Sequence, residues 1–117
     1  MDKKIKDKIK KIPKVPGIYK YFNKDKKIIY IGKAVNLNSR VGSYFSVKLD
    51  PRSKTYALVS EISDIKYIET QSEIEALILE AELIKKHKPF YNINLKDNKS
   101  FLYIVIRPEK IRTSQGL

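Results

Sequence analysis

Gly17-Ile18-Tyr19-Lys20-Tyr21-Phe22-Asn23-Lys24-Asp25-Lys26-Lys27-Ile28-Ile29-Tyr30-Ile31-Gly32-Lys33 is the stretch on which the fold turns. Ile18 to Phe22 and Ile28 to Ile31 are short β-branched and aromatic runs, and the charged residues between them read as the turn of a β-hairpin. With residues 23–26 as the connection, Phe22 faces Lys27 and Tyr19 lies directly opposite Tyr30. Paired positions share a side of the sheet, so both hydroxyls are expected on one face.

On the N-terminal side, Ile5, Ile9 and Ile12 recur at helical spacing among lysines, and Pro13 and Pro16 stop that helix. On the other side, Asn36 is the expected N-cap of a short helix to Phe45 that carries Leu37, Val41 and Tyr44. Residues 46–54 hold Pro51 and read as a loop, Lys54 to Ser63 as a second helix, and Asp64 to Thr70 as a strand. Ser72-Glu73-Ile74-Glu75 has capping-box spacing and opens the clearest helix, which runs to about Lys86, gathers Lys85, Lys86, His87 and Lys88 at its end and stops at Pro89. Tyr103 to Ile106 is a last candidate strand, and 107–117 a polar, frayed tail. There is no repeat or interdomain linker, so 1–117 reads as one domain.

Composition excludes several chemistries. The 117 residues hold no Cys and one His, which removes thiolate nucleophiles, zinc ribbons, iron–sulfur clusters, disulfides and multi-histidine metal sites. A chain of this size buries about two-thirds of its unfolded surface, enough for a core without staples. No apolar run approaches membrane-spanning length and the N-terminus lacks a signal-peptide core, so the expected location is cytoplasmic. Lysine and arginine total 25 against 13 acidic residues, a net charge of +12. Such a field attracts polyanions, nucleic acid first among them. Charge alone does not separate DNA from RNA, or either from anionic lipid or mere solubility.

Glu80 stands apart from the other glutamates of its helix. Its neighbours three and four positions away are Ala76, Leu77, Leu83 and Ile84, all apolar, which places it between two expected buried stripes. A carboxylate there is costly unless a cation meets it. Two readings stay open: an ion pair with Lys or Arg, which the residues taken alone favour, and a ligand for a hard divalent cation that keeps several waters.

Gly17-Ile18-Tyr19 followed by Tyr30-Ile31-Gly32-Lys33, with Asn36-Leu37, Arg40, Tyr44-Phe45, Glu80 and Pro89-Phe90-Tyr91-Asn92, resembles the GIY-YIG nuclease superfamily. Glu75 through Pro89 and Leu95-Lys96-Asp97-Asn98-Lys99-Ser100 are most similar to its UvrC branch, the N-terminal nuclease domain of a bacterial excinuclease, with the likeness running over 13–106. The resemblance implies an α/β (α+β) fold, a small central antiparallel sheet flanked by helices, and a metal-dependent DNA endonuclease. It further implies Mg2+ or Mn2+ on Glu80, catalytic roles for Tyr19, Tyr30, Lys33, Arg40, Tyr44 and Asn92, and DNA as substrate. In full-length relatives it implies the partners UvrA and UvrB, and no membrane. Tyr30 is the first choice to activate water and Tyr19 the second. Bringing either phenol from near 10 to neutral pH takes roughly 4 kcal/mol, expected from Lys33, Arg40 and the metal. Lys33, Arg40, Lys96 and Lys99 are the expected phosphate contacts.

Four of these positions have a plainer reading, strand packing for Tyr19 and Tyr30, surface charge for Lys33 and a turn for Asn92, and His87 reads only as part of a solvated helix end. At the level of function the alternatives are a noncatalytic nucleic-acid-binding module and a stand-alone nuclease outside excision repair.

Overall fold

The hairpin forms with a longer turn and a shifted register. In the computed structural model, which describes residues 3–95, strands β1 (Gly17–Phe22) and β2 (Ile28–Ala34) pair antiparallel. The Asn23 side-chain oxygen accepts the backbone N–H groups of Asp25 and Lys27 at 2.9 and 3.0 Å, and Lys26 adopts a left-handed φ of 62°. The connection therefore takes 23–27 and Phe22 pairs with Ile28, not Lys27. Ile29 is then the extra residue of a β-bulge, so Tyr21 faces Tyr30 and Tyr19 faces Gly32. The total slip of two residues corrects the pairing yet keeps Tyr19 and Tyr30 on the same side, because the side-chain period of a strand is also two.

Strand β3 (Asp64–Glu69) pairs antiparallel with the other edge of β1, giving the order β2-β1-β3. β1 passes close to its neighbours at Gly17: a Cβ there would lie 2.3 Å from the Ile68 carbonyl oxygen and 2.8 Å from Leu37 Cδ1, so only glycine fits.

Among the described residues five helices flank this sheet. α1 (Lys3–Lys11) buries Ile5, and the adjoining Ile12 is buried too, while the side-chain amide of Asn38 donates to the Ile9 and Ile12 carbonyls at 3.0 and 2.9 Å. Those two bonds satisfy acceptors at the helix end and tie α1 to α2 (Leu37–Ser46). Asn36 caps α2 by accepting the Ser39 N–H at 3.0 Å. α3 (Lys54–Glu61) ends before Ser63, because Ile62 turns extended and the Ser63 N–H bonds to the Phe22 carbonyl at 2.7 Å, leading into β3.

α4 (Glu73–His87) is capped by Ser72, which accepts the Glu75 N–H at 3.1 Å, while the Glu75 carboxylate accepts the Gln71 N–H at 2.9 Å. The helix stops at Lys88, which takes the left-handed cap ahead of Pro89, a residue that disfavours helical backbone before it. The chain then re-enters a helix, α5 (Phe90–Leu95), which the sequence reading did not foresee.

The core joins Ile5, Ile12, Leu37, Val41, Leu58 and Ile65 to the rings of Tyr19 and Tyr21, at 1% and 0% exposure. α4 departs from the expected burial, since Ala76 is its one buried residue and Leu77 is 49% exposed. Glu80 thus borders one packed face instead of lying between two. The expected strand 103–106, the tail 107–117 and the candidate contacts Lys96 and Lys99 lie outside the described residues. Among the described residues no helix is long and apolar enough to cross a membrane.

Candidate active site

Alternation along β1 and β2 directs Tyr19, Tyr21 and Tyr30 to one side of the sheet, and α2 brings Tyr44 against them. The Tyr19 ring extends across the strand over Gly32, where a Cβ would lie 2.3 Å from both its Cζ and its hydroxyl oxygen. The glycine is therefore required by a ring, not by backbone conformation. Ring centroids are 6.2 Å apart for Tyr19 and Tyr30, 5.9 Å for Tyr19 and Tyr44, and 6.4 Å for Tyr30 and Tyr44. The Tyr19 and Tyr44 hydroxyls are hydrogen-bonded at 2.9 Å.

Burial pushes the phenols of Tyr19, Tyr21 and Tyr30 well above their ordinary value, and the neighbouring Tyr44 raises all three further. Arg40 acts in the opposite sense on Tyr21 and Tyr30 and is outweighed. The expected lowering by Arg40 is present at Tyr21 and Tyr30, and without a further positive charge it leaves both phenols raised. In a low-dielectric cluster the cost of a buried phenolate exceeds what one exposed guanidinium returns.

Glu80 sits half-buried on α4. Desolvation raises its carboxyl above the usual range, against the charge and backbone N–H of Lys33 and the charge of Arg40. Its own charge is felt at Tyr30, where it adds to the rise of the phenol. Glu80 thus feels the charges of Lys33 and Arg40 and acts in turn on Tyr30, joining residues of α4, β2 and α2. Among the described residues no Lys or Arg nitrogen lies within ion-pair distance of Glu80, although the charges of Lys33 and Arg40 act on it.

The donor set suits a particular class of ion. Among the described residues no three His, Cys, Asp or Glu side chains gather as a ready-made metal cage. One partly desolvated carboxylate beside phenolic oxygens fits a hard cation of the magnesium type, which takes one or two carboxylates and keeps most of its waters.

Asn92 enters differently. Its side-chain oxygen accepts the Ile31 N–H and its amide donates to the Ile31 carbonyl, both at 2.8 Å. Among the described residues β2 is an edge strand, and Asn92, carried by α5, satisfies the outward backbone groups of Ile31, next to Tyr30 and Gly32. Tyr91 beside it is buried and donates to the Glu61 carboxylate. A cavity of about 350 Å³ lined by Ile5, Phe45, Tyr56 and Ile62 lies behind the cluster, sharing Tyr44 with it and not reaching Glu80.

The structure thus brings together Tyr19, Tyr30, Tyr44, Lys33, Arg40 and Glu80, and sets Asn92 behind β2 as a backbone clamp. The sequence reading passed over Tyr21, whose ring stands 5.2 Å from those of Tyr19 and Tyr44 and 6.1 Å from that of Tyr30. The period-two alternation that singled out Tyr19 contains Tyr21 as well.

A family profile described as a UvrC-like GIY-YIG domain matches residues 15–93. The chain belongs to the UvrC-like GIY-YIG family. It is 50% identical over 107 residues to UvrABC system protein C of Psychrobacter sp. (strain PRwf-1), covering 92% of this chain and 17% of that protein. Against the protein of the same name from Bdellovibrio bacteriovorus it is 52% identical over 100 residues, covering 86% and 16%. This GIY-YIG domain therefore spans about one-sixth of the length of the curated relatives it matches. Its fold is similar to the crystal structure of the GIY-YIG N-terminal endonuclease domain of UvrC from Thermotoga maritima bound to its catalytic divalent cation, magnesium. The TM-score is 0.67 at 41% identity, covering 78% of this chain and 98% of that one. Further structures of the Thermotoga domain carry a single tyrosine-to-phenylalanine or asparagine-to-alanine change, each with the divalent cation bound.

Proposed function

We propose that this GIY-YIG domain is a metal-dependent endonuclease that hydrolyses a DNA phosphodiester, and that it serves as the 3′-incision module of nucleotide excision repair, working in the cytoplasm with UvrA and UvrB. The observation that carries this reading is the half-buried Glu80, which among the described residues closes no ion pair, at the edge of a four-phenol cluster and under the charges of Arg40 and Lys33. A noncatalytic binding module gains nothing from a partly desolvated carboxylate on a basic surface.

Glu80 is the protein ligand for Mg2+ or Mn2+. Retention of the cation by the Thermotoga domain after loss of one phenol hydroxyl, or of one asparagine amide, supports a carboxylate as the ligand that matters most. When bound, such an ion neutralises charge on a non-bridging phosphate oxygen and acidifies water. Arg40, exposed on α2, presents its planar fork to the scissile phosphate, and Lys33 adds a second positive charge beside Glu80. Tyr30 orients the attacking water, with Tyr19 second in line, and both hold their protons until positive charge collects next to them. Tyr44 fixes the Tyr19 hydroxyl through their hydrogen bond. Asn92 keeps β2, and with it Tyr30, in place.

The test is nicking of supercoiled plasmid by wild type and Glu80→Ala, with and without manganese, alongside calorimetric titration of the metal. Loss of both nicking and metal binding in the variant supports the assignment. Unchanged cutting removes Glu80 from the mechanism, and a wild type that binds DNA and metal without cutting under any condition favours the binding-module reading.

A further inference from the structure

Tyr21 carries a group that its packing does not require. Its side chain is fully buried, at 0% exposure, and among the described residues its hydroxyl oxygen has no hydrogen-bond partner. Phenylalanine would fill the same volume without burying a polar atom, and an unsatisfied buried hydroxyl is among the costlier defects a core can carry. The position is also not peripheral. The Tyr21 ring is stacked on Tyr30 at 29° with centroids 6.1 Å apart, and it meets Tyr44 edge-on at 5.2 Å and 85°. With its ring also 5.2 Å from that of Tyr19, the fully buried Tyr21 side chain is packed among the other three phenols.

Tyr44 is hydrogen-bonded to Tyr19 and is within hydrogen-bonding reach of Tyr30, whereas among the described residues the Tyr21 oxygen makes no direct bond. A buried hydroxyl without a direct partner, packed among other phenols, is a site that an enclosed water satisfies, since such a water makes two to four hydrogen bonds to polar partners. We propose that Tyr21 is a positioning residue for the cleavage reaction: its hydroxyl holds one buried water, shared with the hydroxyl of Tyr30 or Tyr44, and so fixes the direction of the phenol that meets the attacking water. The catalytic part of this statement rests on the endonuclease reading above; the water site does not.

The variant is Tyr21→Phe, which removes one oxygen and leaves the ring, so folding is not at risk. A crystal structure of the wild type is expected to show an ordered water within hydrogen-bond distance of the Tyr21 oxygen and of Tyr30 or Tyr44, and the variant to lack it. In nicking assays the variant is expected to lose roughly fivefold in kcat, the worth of one neutral hydrogen bond, with KM for DNA and the affinity for manganese unchanged. A role in packing alone would shift thermal stability without that split. An ordered wild-type core with no water on the Tyr21 oxygen overturns the proposal, and so does an unchanged kcat. If the wild type does not cut, the endonuclease reading has failed and the crystallographic comparison still decides whether Tyr21 holds its water.

Discussion

Gly32→Ala probes the join between fold and chemistry. The added Cβ would stand 2.3 Å from both Cζ and the hydroxyl oxygen of Tyr19, a ring that is 1% exposed and cannot swing into solvent. Overpacking of this kind costs about 1–3 kcal/mol, and displacing Tyr19 from Tyr44 adds about 1 kcal/mol for the lost hydrogen bond. The sum of about 2–4 kcal/mol is a large part of the roughly 5–15 kcal/mol that holds a small domain together. At about 4–8 °C per kcal/mol, the melting midpoint should fall by about 8–32 °C. Urea denaturation followed by tyrosine fluorescence gives the cost directly. The same substitution in a Tyr19→Leu background isolates the cause, because leucine lacks both clashing atoms. The two changes should then be coupled by more than about 1 kcal/mol. Equal destabilisation by Gly32→Ala in both backgrounds would refute the idea that this glycine exists to seat the Tyr19 ring.

Asn92→Ala strips Ile31 of both side-chain bonds on the β2 edge and should cost about 2 kcal/mol, with faster hydrogen exchange at the Ile31 amide as the local readout. Tyr91 provides a pH test. Desolvation, with the hydrogen bond to Glu61, pushes its phenol from 10.0 up to about 12. A raised folded-state value favours the native form fully below the unfolded value and loses that contribution as pH climbs through the folded one, so the stability gap between wild type and Tyr91→Phe should close between about pH 10 and 12. A gap that stays constant over that window contradicts the assignment. Lys3, Lys6 and Lys10 line the exposed side of α1, and replacing all three by Gln should weaken DNA binding and lower the slope of log affinity against log salt by up to about 2.7, leaving manganese affinity untouched.

What the sequence made legible, and what it hid, has physical reasons. The hairpin, the caps at Asn36 and Ser72 and the stop at Pro89 rest on local backbone chemistry, and they stand where local rules put them. The pairing across the hairpin did not, because Ile29 bulges and nothing in an apolar run marks which residue will be extra. Tyr19 and Tyr30 reached one face regardless, since an even slip preserves sidedness. α5 went unread because six residues carry little periodicity, and it was its tertiary consequence, Asn92 on Ile31, that gave it a purpose. Glu80 was picked out by apolar neighbours, yet Leu77 proved exposed, so the carboxylate is half-buried at the border of a packed face. Tyr21 was missed because a hydroxyl in a strand reads as packing until its lack of a partner is seen.

The central claim is that Glu80 holds the cation beside the phenols. Anomalous diffraction from crystals of the wild-type protein grown with manganese tests it most directly. A peak within about 2.2 Å of a Glu80 carboxylate oxygen, on the side facing Tyr30, is the predicted result. A manganese peak elsewhere, with Glu80 closed onto Lys33 or Arg40, contradicts it.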